Sequence, residues 1–404
     1  MKKILVYLLL SGLLVAGGLT GCSQGQKTGD NNPAKPDTGL ILKDVGLLAE
    51  GISLTNHYQD LVLSPSGKLA AFSGYKYVNH NPESKIVLAD LVNGSARSYN
   101  EAERVLGWLP DDSKVLYHYR GKLRLMDVNT GNYQQIAEDS WYGSISPDGR
   151  QIAYAQRGKG LFIYNIETKQ NKQLTVNKHD WYPVWYPDGK SLFYFNDKGI
   201  KLGDGAGMME GMARISVESG QMESITSEQG KFRQASWIVP GKSLKIVKGW
   251  DDAFHLGILD LEKSKYIDLG EFSHQPSFNA SVDQANGQLI VSSKGKVEIY
   301  NSQGVKKASY ALPEAGLEYH IISASHKGDK ISFVQGDLYR NADSATKGNK
   351  VKVADTNMQN IKELTGEDKY NGFIVWSQAG DMVISLQMDM ENITAVKVLP
   401  VDKP

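Results

Sequence analysis

Residues 141–156 read Trp-Tyr-Gly-Ser-Ile-Ser-Pro-Asp-Gly-Arg-Gln-Ile-Ala-Tyr-Ala-Gln, and this stretch decides the fold. An aromatic pair leads into a short alternating run, a Ser-Pro-Asp-Gly turn follows, and a second alternating run closes the unit. Pro147 suits a turn position that wants φ near about −65°, Asp148 can hydrogen-bond its own backbone, and Gly149 takes the left-handed conformation at no steric cost. A turn of this kind between two alternating runs predicts a β-hairpin.

The unit recurs. Turns of the same type end at Gly67, Asp112, Gly149 and Gly189, and weaker copies end at Gly241, Gly287, Gly328 and Gly380. Asp112 stands where the others have glycine, and aspartate is among the few residues tolerated in the left-handed region. Successive turns are roughly 37 to 52 residues apart, around the ~40–45 of one four-stranded propeller blade. Each copy carries further strand-like runs, such as Leu161 to Ile166 and Asn171 to Thr175 after Gly149. The third run often ends in Asp plus a turn, and the fourth in Leu-Thr or Ile-Thr, as at Leu174-Thr175 and Leu364-Thr365. No segment has a long helical period. The reading is an all-β chain, one β-propeller of eight four-stranded blades; seven, with one weak copy misread, is the alternative. The last copy has room for only three strands. An N-terminal strand within Gly46 to Thr55 would complete that C-terminal blade and protect its edge.

Outside the repeats the chain divides simply. Lys2 and Lys3 precede an apolar run from Ile4 to Gly18, and Leu19-Thr20-Gly21-Cys22 resembles a bacterial lipobox. Cys22 is the only cysteine, which favours lipidation over disulfide or redox roles. The domain reading is a lipoprotein signal peptide over 1–21, lipidated Cys22 with a flexible Gly-, Asn- and Pro-containing tether over 22–45, and the propeller over 46–404. The lipid would hold the protein outside the cytoplasm on the cell membrane, or on an outer membrane where one exists. Acidic and basic residues balance at 45 each, so nothing points to nucleic acid. A monomer without cofactors is expected.

The Ser-Pro-Asp-Gly-Arg and Tyr-Pro-Asp-Gly-Lys hairpins, with aromatic residues before them, resemble the TolB-like (WD40-like, Pro-Asp-Gly repeat) propeller of bacterial envelope proteins. The motif fits well at Gly67, Gly149 and Gly189 and is degraded in the second half. TolB itself has six blades and an added α/β domain, neither of which is expected here. The resemblance implies the architecture, and a family made mostly of protein-interaction platforms with a minority of hydrolases and lyases.

Binding residues are expected on the face opposite the Pro-Asp-Gly turns. Residues just before each innermost strand repeat an aromatic or histidine theme: His57, Tyr58, Trp141, Tyr142, His179, Trp181, Tyr182, His274, Tyr319, His320 and Tyr370. They can pack blade on blade, or ring the channel mouth as a ligand or partner site. Three long stretches between second and third strands, 74–84, 196–211 and 336–350, read as loops on the same face. Tyr75, Tyr77, His80, Met208 and Met209 are their candidate partner-binding residues. The leading expectation is a non-catalytic binding or scaffold module for an envelope protein or a glycan. The alternative is a metal-dependent carbohydrate-active enzyme, resembling oligogalacturonate lyase, with His57, His179, His274 and His320 as ligands. No Gly-x-Ser-x-Gly or His-Glu-x-x-His motif nominates other catalysis.

Overall fold

The computed structural model describes residues 52–53, 61–78, 81–201, 208–250, 253–272, 279–293, 295–311, 319–336, 349–366, 370–389 and 392–401. Residues 1–51, where the sequence reading expects a signal peptide, lipidated Cys22 and a tether, lie outside them. The described residues form strands, turns and bends without a helix.

Eight blades follow the eight turns. Their inner strands are Val62–Leu63, Arg104–Trp108, Ser140–Ile145, Trp181–Trp185, Phe232–Val239, Asn279–Asp283, Tyr319–Ala324 and Tyr370–Trp376. In blades 2 to 7 each inner strand begins a four-stranded antiparallel sheet in simple up-and-down order. Blade 8 contributes three strands of its own, and Ile52–Ser53 adds the fourth by pairing with Ile393 and Asn392. Ser53 also pairs with Tyr75, which joins blade 8 to blade 1. The ring is closed from the N-terminal side, and eight blades replace the seven-blade alternative.

The turn chemistry explains the hairpins. Gly67, Asp112, Gly149, Gly189, Gly241, Gly287, Gly328 and Gly380 all have φ between 62° and 75°. The left-handed conformation is therefore met even in the copies whose sequence had decayed to Ala-Asn-Gly or His-Lys-Gly. The Leu-Thr signature has a cause as well. Thr175 Oγ1 accepts from Leu161 N at 3.0 Å and Thr365 Oγ1 from Val351 N at 2.9 Å, so the hydroxyl satisfies the start of the third strand.

The core lies between blades. Eight apolar clusters form, one at each seam, and each draws residues from two adjacent blades; Ile384 and Leu386 of blade 8, for instance, pack with Ala70 and Phe72 of blade 1. Four tryptophans near the turn end of inner strands add a recurring cross-seam bond. Trp108 Nε1 donates to Val62 O, Trp185 Nε1 to Ser144 O, Trp237 Nε1 to Trp185 O and Trp376 Nε1 to Ser323 O, at 2.9 to 3.1 Å. Each reaches the preceding inner strand, so a bulky ring fills the seam and its one polar atom is satisfied.

Two expected loops are strands instead. Leu69–Val78 and Asn81–Asp90 pair out to Val78 opposite Asn81, and Ser191–Lys201 and Met208–Ser216 pair out to Lys201 opposite Met208. Both stretches are tall two-stranded ribbons standing on the face away from the turns. The alternating Tyr-Lys-Tyr-Val of the first carries ordinary strand propensity, and the ladder simply continues. Of the third stretch, residues 337–348 lie outside the described residues.

Candidate functional site

Six of the inner strands, those of blades 2, 3, 4, 5, 7 and 8, share an irregularity at the end away from the turns. Register shifts fall between Val105 and Gly107, Ser140 and Tyr142, Trp181 and Val184, Phe232 and Gln234, His320 and Ile322, and Gly372 and Ile374. Such bulges re-aim side chains and sharpen the local twist. At three of them a bulky residue occupies the left-handed region: Tyr182 at 58°, Ile321 at 51° and Phe373 at 48°. For a β-branched or aromatic residue this costs roughly 1–2 kcal/mol and persists because the neighbouring blades hold it there.

The bulge in blade 3 turns Trp141 outward. Its side chain is 49% exposed, and its ring stacks on the buried His118 of blade 2 at 5.2 Å and 26° between planes. His118 is itself held from several sides. Gly121 N donates to Nε2 at 3.0 Å, which makes Nε2 an acceptor and leaves the proton on Nδ1, facing Glu103 Oε2 at 3.4 Å. Burial pushes the His118 pKa below its ordinary value, and the Glu103 carboxylate opposes that shift. Glu103 also accepts from Arg120 N at 2.9 Å. The result is an exposed indole resting on a neutral, fixed imidazole.

Beside it lies an aromatic cluster. Tyr142 meets Trp181 at 4.9 Å and Tyr182 at 5.1 Å, Phe195 stacks on Phe232 at 4.9 Å, and the Arg104 guanidinium stands 5.8 Å from the Tyr142 ring. Glu210 closes the cluster on the blade 5 side. It is 3% exposed, receives Lys231 Nζ at 3.0 Å and Phe232 N at 2.9 Å, and its pKa is raised by burial against those two partners. Asp180 is similarly buried, which raises its pKa, while Asp197 N donates to its Oδ1 at 2.9 Å.

Trp141 is half-exposed and Tyr142 and Trp181 partly so, with His179 exposed beside them. Tyr182 is a correction: it is 8% exposed and packed among Trp181, Phe195 and Tyr142, because its backbone bulge turns the ring into the seam. Tyr319, His320 and Tyr370 begin the inner strands of blades 7 and 8 as expected, paired with Gln335, Val334 and Met388. On the ribbons, Tyr75 pairs with Ser84, Tyr77 with Pro82 and Met208 with Lys201, while Met209 is partly buried. His57, Tyr58, His80 and His274 lie outside the described residues. Of the four histidines expected as metal ligands, His179 is exposed and His320 lies opposite Val334 of the neighbouring strand. Among the described residues no three His, Cys, Asp or Glu side chains gather as a metal-binding group.

Sequence reasoning missed His118, Glu103 and Arg104. The signal was present in Val115-Leu116-Tyr117-His118-Tyr119, where one imidazole interrupts an otherwise apolar second strand that is buried on both faces.

No family model and no curated protein matches the sequence. Solved structures do share the fold. The dipeptidyl peptidase 4 of Porphyromonas gingivalis is 13% identical with a TM-score of 0.56, over 88% of this chain and 58% of that one. The C-terminal WD40 domain of Sif2 is 14% identical with a TM-score of 0.51, over 86% and 97%. An oligogalacturonate lyase from Vibrio parahaemolyticus is 14% identical with a TM-score of 0.47, over 73% and 88%. At this identity the peptidase and the WD40 domain, both with a TM-score above 0.5, show the fold alone: the chain is a β-propeller.

Proposed function

We propose that the protein is a lipid-anchored, extracytoplasmic propeller that binds an envelope protein or glycan at the rim opposite its turns and performs no chemistry on it. The observation that carries this reading is Trp141, a large aromatic ring turned half out of the protein by a bulge and backed by a fixed imidazole. Exposed, pre-ordered aromatic rings give contact area at low entropic cost and dominate interface energetics. Exposed His179, two residues before Trp181, adds a polar group suited to a rim. The TolB-like resemblance supports a platform role, and the Lys2-Lys3 start with Leu-Thr-Gly-Cys22 supports the anchor.

The test is crosslinking in living cells. A photoactivatable residue replacing Tyr77 or Met209 is expected to capture one discrete adduct. Cys22→Ser is expected to release the protein from the membrane fraction. Silence from both rim positions would end the binding reading. Bound divalent metal, lost together with glycan cleavage in His179→Ala, would replace it with the enzyme.

A further inference from the structure

The seam between blades 5 and 6 departs from its counterparts. At the seams of blade 3 with blade 4 and of blade 6 with blade 7, polar side chains in the middle of the inner strand reach across to the next inner strand. Ser144 Oγ donates to Pro183 O at 2.9 Å, while Asn279 Oδ1 and Ser281 Oγ accept from Ile322 N and Ala324 N, both at 3.1 Å. Blade 5 has Gln234 and Ser236 at the equivalent places, since Ser236 faces Lys245 across its ladder as Ser144 faces Ala153 and Ser281 faces Ile290. Here the crossing is not made. Gln234 Nε2 and Ser236 Oγ are buried without a hydrogen-bond partner, and so is Ser243 Oγ, two residues before Lys245 on the same strand face.

Lys245 sits opposite Ser236, so the two side chains share one face of the blade. It is 3% exposed, and its Nζ meets Ala280 O at 3.4 Å, the carbonyl equivalent to Pro183 O. Apolar side chains of Ile238, Leu256, Ile258 and Phe272 enclose that face. The one titratable group in the same cluster, Tyr300, gives its hydroxyl to Glu298 at 2.8 Å.

The unmet groups have a common sign. A carboxamide nitrogen and an ammonium only donate, and a serine hydroxyl can donate. A cation is repelled by the ammonium. A water could accept two of these bonds and give a proton to a serine oxygen, but it carries no charge to offset the ammonium. A monovalent anion accepts from all of them and neutralises a charge whose burial is otherwise costly.

We propose that the seam between blades 5 and 6 binds a small halide-sized anion through Lys245 Nζ, Ser236 Oγ and Gln234 Nε2. The test uses the full chain in detergent, with sodium bromide exchanged for sodium gluconate at constant ionic strength. The thermal midpoint is expected to rise saturably with bromide. Lys245→Met is expected to abolish the response, and Ser236→Ala, which keeps the charge, to weaken bromide affinity about tenfold, as for loss of one hydrogen bond to an ion. Crystals of the unaltered protein grown in bromide should show an anomalous peak within hydrogen-bond reach of Lys245 Nζ. A flat bromide response, an undiminished one in Lys245→Met, or ordered water alone at the site would each overturn the proposal.

Discussion

The two ends of the same inner strands face opposite demands. At the turn end, polar atoms are spent within the turn. Ser146 Oγ donates to Asp148 Oδ1 at 2.6 Å and accepts from Gln151 N at 2.9 Å; Ser325 with Asp329 and Ser377 with Asp381 repeat the arrangement. Ser64 Oγ even donates to Asp112 of the next blade, at 3.1 Å. At the rim end the backbone is bulged, bulky residues sit at positive φ, and Trp141 stands half in solvent. The turn end therefore governs whether the ring forms, and on the proposed reading the rim end governs what it touches. Strained backbone and exposed aromatic surface belong together at such a site, because the stable end can carry them.

Four substitutions or titrations press on that contrast, in descending size. Trp185→Ala removes a fully buried ring and its bond to Ser144 O, and should cost about 3–5 kcal/mol in denaturant unfolding. A loss under about 1 kcal/mol would mean the tryptophans do not hold the seams. Trp141→Ala should weaken partner capture by about 2 kcal/mol, roughly thirtyfold, with little change in unfolding free energy. Gly149→Ala should do the reverse. Its φ is 71° and the added Cβ would lie 2.6 Å from Pro110 Cδ, so a stability loss of about 1–2 kcal/mol is expected with capture intact.

The smallest effect is a pH dependence at the rim. His118 titrates below its ordinary value because burial disfavours the imidazolium. Above about pH 6.5 neither folded nor unfolded chain holds the proton, and the group contributes no slope. As pH falls below that, the unfolded chain protonates first, so stability declines until the lower folded value is reached. Unfolding curves of His118→Gln between pH 7 and pH 5 should be flatter than those of the unaltered protein; parallel curves would show that His118 is not held neutral.

How far the sequence revealed the molecule also differs between the two ends. The turns were legible even in decayed copies, because a left-handed residue between alternating runs is a local requirement that Gly287 and Gly328 still meet. Closure by an N-terminal strand followed from counting strands in the last repeat. The rim was legible only as composition. Trp141 and Tyr182 occupy similar places in their repeats, yet one faces solvent and the other the seam. That choice depends on which residue a bulge displaces, and register is not encoded in a single strand's pattern. Gly74 to Ser84 reads as a long loop in the sequence, whereas pairing continues wherever a partner strand remains alongside. The Trp185 and Trp237 staples were hidden for a different reason: a buried tryptophan's partner lies in the preceding repeat, roughly a blade away.

The division of labour along these strands is best tested by measuring in-cell crosslink yield from a photoactivatable residue at position 209 in two backgrounds, Trp141→Ala and Gly149→Ala. Normalised to folded protein, the account predicts that the adduct falls at least tenfold with Trp141→Ala, a loss consistent with one central interface aromatic, and stays near its original level with Gly149→Ala. Equal yields in both backgrounds, or loss only with Gly149→Ala, would contradict it.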